Sequence, residues 1–345
     1  MMSSKILIVA TSPRSRGGIA TVVSAFRQTA VWSEWGCYWV ETHIDKSKVH
    51  KLFKFIKALF IYLCKLPFCD IVYIHVSTSV SARRKYFFYK LARLYKKKII
   101  IHLHCGSQLS SIWDEKYFDM LSNADLCLVL SQGIRDVVIN YTKRVDNVRV
   151  LYNPCPDIKE KVTDEHREKI ILFAATLYKE KGYLDLIDAF AKVCEKYPDW
   201  HLKIAGNGSQ DEGLARVAKW GIQNNVEFLG WVKGEEKDRV FRSASIFCLP
   251  SYAEGFPMAV LDAWAYGIPV VTTPVGGIPD IVVNNENGLL FNPGDIDTLS
   301  VQLCRLIEDD NLYQKLKKEA SNLAATTFNI ETFAGQIRDM YNDLT

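Results

Sequence analysis

The sequence predicts an α/β protein built from two doubly wound parallel sheets. Three observations carry this. The chain has 345 residues, and at about 150 residues per domain that favours two domains. Short β-branched apolar runs alternate with segments of helical periodicity, as in strand–helix–strand units. The apolar runs are nearly continuous, the pattern of strands buried on both faces. Hydrophobic residues are 48% and charged residues 24% of the chain, a balance that excludes wholesale disorder.

In the first half, Lys5–Ala10 reads as a strand and Gly18–Thr29 as the helix after it. Ile71–Val76, Ile99–His104 and Leu126–Leu130 are further strands, with a helix at Tyr86–Tyr95. At Asn153-Pro-Cys-Pro156 two prolines stop regular structure, and a charged stretch runs on to Lys169. The second half is plainer. Strands are expected at Ile170–Ala174, Leu202–Ala205, Val226–Leu229, Ile246–Leu249, Val270–Thr273 and Gly288–Phe291. Tyr183–Lys196 places Leu184, Ile187, Phe190, Ala191 and Cys194 on one helical face. Ser209-Gln-Asp-Glu212 reads as a capping box before another helix. Ile330–Leu344 reads as a final helix. The expected domains are 1–160 and 161–328, with 329–345 packing back toward the first. Ligands of such folds bind at the C-terminal ends of the strands, so a cleft between the two domains is expected.

The formal net charge is +4 and hides a split. Residues 1–160 carry 24 Lys and Arg against 12 Asp and Glu; residues 161–345 carry 19 against 27. The excess lies in residues 46–100, with 14 basic residues and one acid, Asp70. This points to an anionic partner for the first half. The nine cysteines are scattered and none are spaced C-x-x-C. Neither a disulfide framework nor a zinc site is expected; reduced cytosolic thiols are. The apolar stretch Ile6–Ala10 is too short for an export signal. Lys54, Lys57 and Lys65 break the apolar region Leu52–Cys69, so it is not expected to span a bilayer.

Two loops attract attention. Thr11–Gly18 ends in Arg16-Gly-Gly18 and opens a helix. It reads either as a tight turn or as a loop whose helix N-terminus receives a phosphate. G-x-G-x-x-G is absent both there and at Gly206-Asn-Gly208. The second loop follows the strand ending at Leu249 and carries Glu254-Gly-Phe-Pro257. Pro257 suits a first helical turn and Gly267 a C-terminal stop. The N–H groups of Gly255 and Phe256 suit an anion, and Glu254 and Asp262 suit sugar hydroxyls. The alternative is a capping Glu254 and a surface Asp262.

The same stretch resembles the retaining, nucleotide-sugar-dependent glycosyltransferases of family 4. Their pattern is Glu, seven residues, Glu, then A-x-G-x-P-V-V and G-G-x-P-E. The matching residues are Glu254, Asp262, Ala265-Tyr-Gly-Ile-Pro-Val-Val271 and Gly276-Gly-Ile-Pro-Asp280. Phe173-Ala-Ala-Thr-Leu-Tyr-Lys-Glu-Lys-Gly182 is similar to the family's F-x-G-R-L-x-x-x-K-G. The resemblance is dense over residues 170–310. It implies the GT-B fold, two facing Rossmann-like domains. It gives Lys181, Gly17, Gly18, Gly255, Phe256 and Pro257 to the donor diphosphate, Glu254 to the donor sugar and Asp262 to the ribose. His104 matches the family's active-site histidine, with His102 the alternative and a structural strand-end histidine the bland reading. There are three departures: Asp262 replaces Glu, Thr176 replaces the diphosphate-binding Arg, and Ala175 replaces Gly. Lys179 or Arg14 could stand in for the lost charge.

The resemblance implies transfer with retention from a nucleotide-diphosphate sugar, a UDP-sugar in particular, without metal or other cofactor. Asp295-Ile-Asp297 is the one D-x-D, and Asp295 reads there as the cap of the helix Ile296–Ile307. The implied acceptor is a glycan or polyprenyl-diphosphate lipid in O-antigen, capsule or exopolysaccharide synthesis. Lys46–Lys65 interleaves Lys with Leu, Phe, Ile and Tyr, which reads as a surface helix on an anionic membrane. A merely solvated basic face is the alternative, and no nucleic-acid motif accompanies the charge. Arg83, Arg84 and Lys85 are candidates for acceptor or membrane binding. The expected location is cytoplasmic, peripheral on the inner face of the membrane. A GT-B-like epimerase and an inactive membrane scaffold are the competing readings.

Overall fold

A computed structural model describes residues 5–15, 17–45, 47–104, 114–158, 162–163, 165 and 167–345. Arg16 and Lys46, named above, lie outside the described residues. The chain divides into two units, Met1–Pro154 with Ile330–Thr345, and Cys155–Asn329.

The first unit runs β1 (Ile6–Ala10), α1 (Gly18–Phe26), α2 (Ala30–Glu34), β2 (Tyr38–Glu41), α3 (Lys48–Lys65), β3 (Ile71–Val76), α4 (Ser79–Leu94), β4 (Lys98–Leu103), α5 (Glu115–Asn123), β5 (Leu126–Val129), α6 (Gln132–Thr142) and β6 (Val148–Val150). Its sheet is wholly parallel, in the order β2-β1-β3-β4-β5-β6. Every residue of β1, β3 and β5 is buried, as strands covered on both faces must be. The second unit runs β7 (Ile170–Ala174), α7 (Tyr183–Lys196), β8 (His201–Ala205), α8 (Asp211–Trp220), β9 (Val226–Gly230), α9 (Glu235–Ser243), β10 (Ile246–Leu249), α10 (Met258–Ala265), β11 (Val270–Thr272), β12 (Leu289–Leu290), α11 (Ile296–Glu308) and α12 (Asp310–Ala325). Its sheet is also parallel, in the order β12-β11-β10-β7-β8-β9. The chain then returns to the first unit as α13 (Ile330–Leu344).

That last helix belongs to the first unit's core. Phe333, Ile337 and Tyr341 are buried. Phe333 meets Phe26 edge-on at 6.1 Å, and Tyr341 meets Trp35 at 5.2 Å and Tyr73 at 6.3 Å between ring centroids. Aromatic pairs at these distances add about 0.5–1.5 kcal/mol each beyond burial.

Strand spans follow the apolar runs closely, and several connections do not. The helix expected at Tyr86–Tyr95 starts at Ser79, capped by the Thr78 hydroxyl, which accepts from Ser81 N. Arg83-Arg-Lys85 therefore lies within α4, before the start expected for that helix. The capping box at Ser209 does not form: Ser209 Oγ accepts from Asp211 N, a two-residue turn that leaves α8 without a side-chain cap. Asp295 does cap α11, accepting from Thr298 N at 2.9 Å. Among the described residues no helix is long and apolar enough to cross a membrane.

Candidate functional site

In the second unit β7 and β10 are neighbours, with β8 on one side and β11 on the other. The strand order reverses between them, and ligands of open parallel sheets bind beyond the carboxyl ends at such a point. The loops leaving these two strands are tied together. A short 3-10 turn, Lys179–Lys181, leads into α7 through Gly182. Gly182 has φ +69°, and a Cβ there would stand 1.9 Å from the Pro250 carbonyl oxygen, so only glycine fits. Tyr252 N donates to the Glu180 carbonyl at 2.8 Å.

Across this seam Lys181 Nζ donates to Glu254 Oε1 at 2.7 Å and to the Ala253 carbonyl at 3.3 Å. Ser251 Oγ donates to the same Glu254 oxygen at 2.7 Å. The Glu254 side chain is 9% exposed and that of Lys181 24%. The structure thus brings two of the sequence-predicted residues into one partly buried ion pair. The turn after β11 supports them. Gly276, at φ +60°, backs onto the Glu254 carbonyl, where a Cβ would come within 2.0 Å. Gly277 N donates to the Gly255 carbonyl at 3.0 Å. Phe256 and Pro257 are buried, and Pro257 immediately precedes α10 and caps it, one residue earlier than expected.

Asp262 lies on α10 and pairs with Lys237 of α9 at 2.7 Å. Burial pushes its carboxyl up, and Lys237 works against that shift. Lys237 was not foreseen, because nothing in the local sequence joins α9 to α10. Lys179, a candidate substitute for the missing arginine, instead pairs with Glu212 of α8 at 3.0 Å. Thr176 is half-buried in the loop after β7.

In the first unit the loop after β1 reaches α1 through Gly17, at φ +110° with open space where a Cβ would be. Gly18 begins the helix, which has no side-chain cap. His104 follows β4, and its ring lies 4.0 Å from that of His102, on the same strand face. His75 on β3, opposite His102 in register, was not foreseen. His75 Nδ1 and His104 Nε2 are 2.8 Å apart, and the Tyr73 hydroxyl meets His102 Nδ1 at 2.8 Å. Burial pushes all three imidazoles down, His102 to about 3 and the others well below their ordinary value. They are therefore neutral at physiological pH.

The basic trio on α4 is not one surface, which corrects the expectation. Lys85 is fully buried; its Nζ donates to the His75 carbonyl and to Ser81 Oγ. Burial brings its ammonium down to about 7, with Arg84 adding to the shift. Arg84 turns to His43 Nδ1 at 3.4 Å, and Arg83 pairs with Asp114 at 2.9 Å. Successive helical residues point about 100° apart, so three in a row cannot share a face.

By contrast α3 presents an apolar face that no other described residue covers. Val49, Leu52, Phe53, Ile56, Phe60 and Leu63 are all exposed, at the three-and-four spacing of one stripe. Its opposite side carries Ala58 and Tyr62, buried, with Tyr62 and Phe55 against Phe88 of α4.

Residues 156–323 match the family model of glycosyl transferases group 1. The second unit belongs to that family. An uncharacterized glycosyltransferase of Haemophilus influenzae is 31% identical over 190 residues, 54% of this chain and 53% of that protein. The lipopolysaccharide 1,6-galactosyltransferase of Salmonella typhimurium is 29% identical over 210 residues, 59% and 58% of the two chains. These alignments span little more than half the length of each relative. The Anabaena protein HepE, solved with UDP and glucose, superposes with a TM-score of 0.78 over 98% of this chain and 99% of its own, at 19% identity. That likeness and the two six-stranded parallel sheets give the chain its fold class, GT-B. Glu254, Asp262 and Lys181 all lie inside the group 1 match; His104, Gly17 and Gly18 lie outside it.

Proposed function

We propose that the protein moves a sugar, with retention, from a nucleotide-diphosphate sugar to a glycan or polyprenyl-diphosphate-linked acceptor during cell-surface polysaccharide synthesis. A UDP-sugar is the proposed donor, and O-antigen, capsule or exopolysaccharide the proposed product class. The observation that carries this is the Lys181–Glu254 pair beyond β7 and β10. A cation and a carboxylate held 2.7 Å apart at a strand-order reversal suit a ligand with a phosphate beside a sugar. The relatives' names support the reaction class, and HepE with UDP and glucose supports the donor class.

In this reading Lys181 turns part of its hydrogen bonding to the diphosphate as charge grows on the leaving group. The N-terminus of α10, with Gly255, Phe256 and Pro257, adds its dipole. Glu254, fixed by Ser251, accepts from donor-sugar hydroxyls. Asp262, steadied by Lys237, accepts from the ribose. In the first unit Gly17 and Gly18 open α1 for a diphosphate, and neutral His104 is offered to the sugar. The leaving phosphate takes the acceptor's proton on the face it departs from, so no metal, cofactor or covalent nucleophile is assigned. The exposed apolar stripe of α3, flanked by Lys48, Lys51 and Lys57, serves as the contact with an anionic membrane on its cytoplasmic face.

The test is incubation of the purified protein with labelled nucleotide sugars, with and without a lipid-linked acceptor. Acceptor-dependent nucleotide release is expected, and Glu254→Ala should abolish it while the far-ultraviolet circular dichroism spectrum is unchanged. Isomerised sugar without transfer would make the protein an epimerase. No donor binding by calorimetry would make it a scaffold.

A further inference from the structure

The first unit holds a cluster that the proposed transfer draws on only through His104. One ring nitrogen each of His75, His102 and His104 lies within 4.8 Å of the other two. His75 and His102 sit opposite one another on β3 and β4, so the sheet fixes both rings. Tyr73 holds His102 through Nδ1. That leaves His102 Nε2 fully buried and, among the described residues, without a hydrogen-bond partner. An unsatisfied buried polar atom costs about 1–3 kcal/mol, so its retention calls for a ligand or a reason. His75 Nδ1 and His104 Nε2, at 2.8 Å, sit closer together than two ligands of one ion. Tetrahedral zinc with nitrogens at about 2.0–2.1 Å sets its ligands roughly 3.3–3.4 Å apart. The His75–His104 pair must open by about 0.5 Å to reach that value.

We propose that His75, His102 and His104 form a binding site for a divalent transition metal, Zn2+ by preference, with the fourth position open. Three imidazoles with an open position are a familiar zinc donor set. Tyr73 supplies an outer hydrogen bond at His102 Nδ1; in the tautomer in which Nδ1–H donates to the Tyr73 hydroxyl, Nε2 carries the lone pair that a metal takes. The site shares His104 with the transfer reading, and its test reads metal binding alone, so the two can fail separately.

Titration of Co2+ into the chelator-treated full chain tests it. One equivalent should give the visible bands of tetrahedral Co2+ with nitrogen donors, displaced by Zn2+. His75→Ala and His102→Ala should abolish the bands, and His43→Ala and His50→Ala should leave them intact. His102→Gln, checked by circular dichroism, keeps a polar partner for Tyr73 if the alanine variant unfolds. Zinc-edge X-ray absorption on the unmodified protein should show imidazole scattering and no sulfur. Sulfur ligation, bands that survive His75→Ala, or no stoichiometric binding would overturn the proposal.

Discussion

Lys85→Met should change how stability depends on pH, and the change can be worked out from the site. The ammonium is fully buried, and its pKa falls to about 7. In the unfolded chain it returns to about 10.4. Between these values the unfolded state binds more protons than the native state, so stability rises with pH across the window. The sign is that of a depressed base: the penalty is full below about pH 7 and gone above about 10.4. At 1.36 kcal/mol per pKa unit the span is at most about 5 kcal/mol. Buried tyrosines and cysteines titrate in the same range, but they are common to both proteins. Urea denaturation of wild type and variant from pH 6 to 10 therefore isolates the lysine in the difference. The variant's advantage should be largest at pH 6 and shrink as pH rises. The loss of the bonds to Ser81 and the His75 carbonyl shifts the whole difference by about 1–3 kcal/mol without tilting it. A difference that is flat with pH would show that Lys85 is solvated or keeps its charge in the native state, and the argument would fail.

The acid side has a different cause. His75, His102 and His104 are neutral by burial, so stability should fall as pH drops below about 6.5, and His102→Gln should soften that fall. Phe53 and Phe60 are each 69% exposed; burying that area in lipid is worth about 3 kcal/mol per ring, roughly a hundredfold in partitioning. Phe53→Glu with Phe60→Glu should abolish flotation with phosphatidylglycerol vesicles and leave the melting temperature within a few degrees; unchanged flotation would remove α3 from the membrane contact. Gly276→Ala sets a methyl 2.0 Å from the Glu254 carbonyl at positive φ, so UDP binding by calorimetry should weaken at least tenfold with about 1–2 kcal/mol lost in stability. Lys237→Met frees Asp262, and a weakened donor KM with kcat little changed is expected if the pair positions the ribose.

The parts of the fold that were legible in the sequence are those written in local apolar runs. β3, β7 and β10 fall where their β-branched stretches lie, and Gly267 and Asp295 end and start helices as their residue types direct. The start of α4 was hidden because Ser79-Val-Ser-Ala-Arg-Arg-Lys has little apolar periodicity; the Thr78 cap and packing against β3 fix it instead. The candidate site divides in the same way. Glu254 was readable from its loop ahead of a helix and Lys181 from the family resemblance, and they meet because β7 and β10 are neighbours. The Lys237 partner of Asp262 and the His75 partner of His104 arise from tertiary pairing between separate elements, which no local pattern encodes. Lys85 misleads for a related reason: a lysine in a basic run reads as surface until its helix is docked and its amine is found under β3.

The position of α13 bears on how the protein is made. Unit one draws its core from 5–154 and from a helix that leaves the ribosome only after all of Cys155–Asn329. The second unit is an uninterrupted insertion and can complete its sheet during synthesis, as domains fold in the order they emerge. The first unit must wait, with Tyr73, Trp35 and Phe26 short of the ring contacts that Phe333 and Tyr341 supply. A nascent chain stalled before Ile330 would hold a finished second unit and an incomplete first one, a natural client for chaperones and a place where truncation damages the opposite end of the sequence.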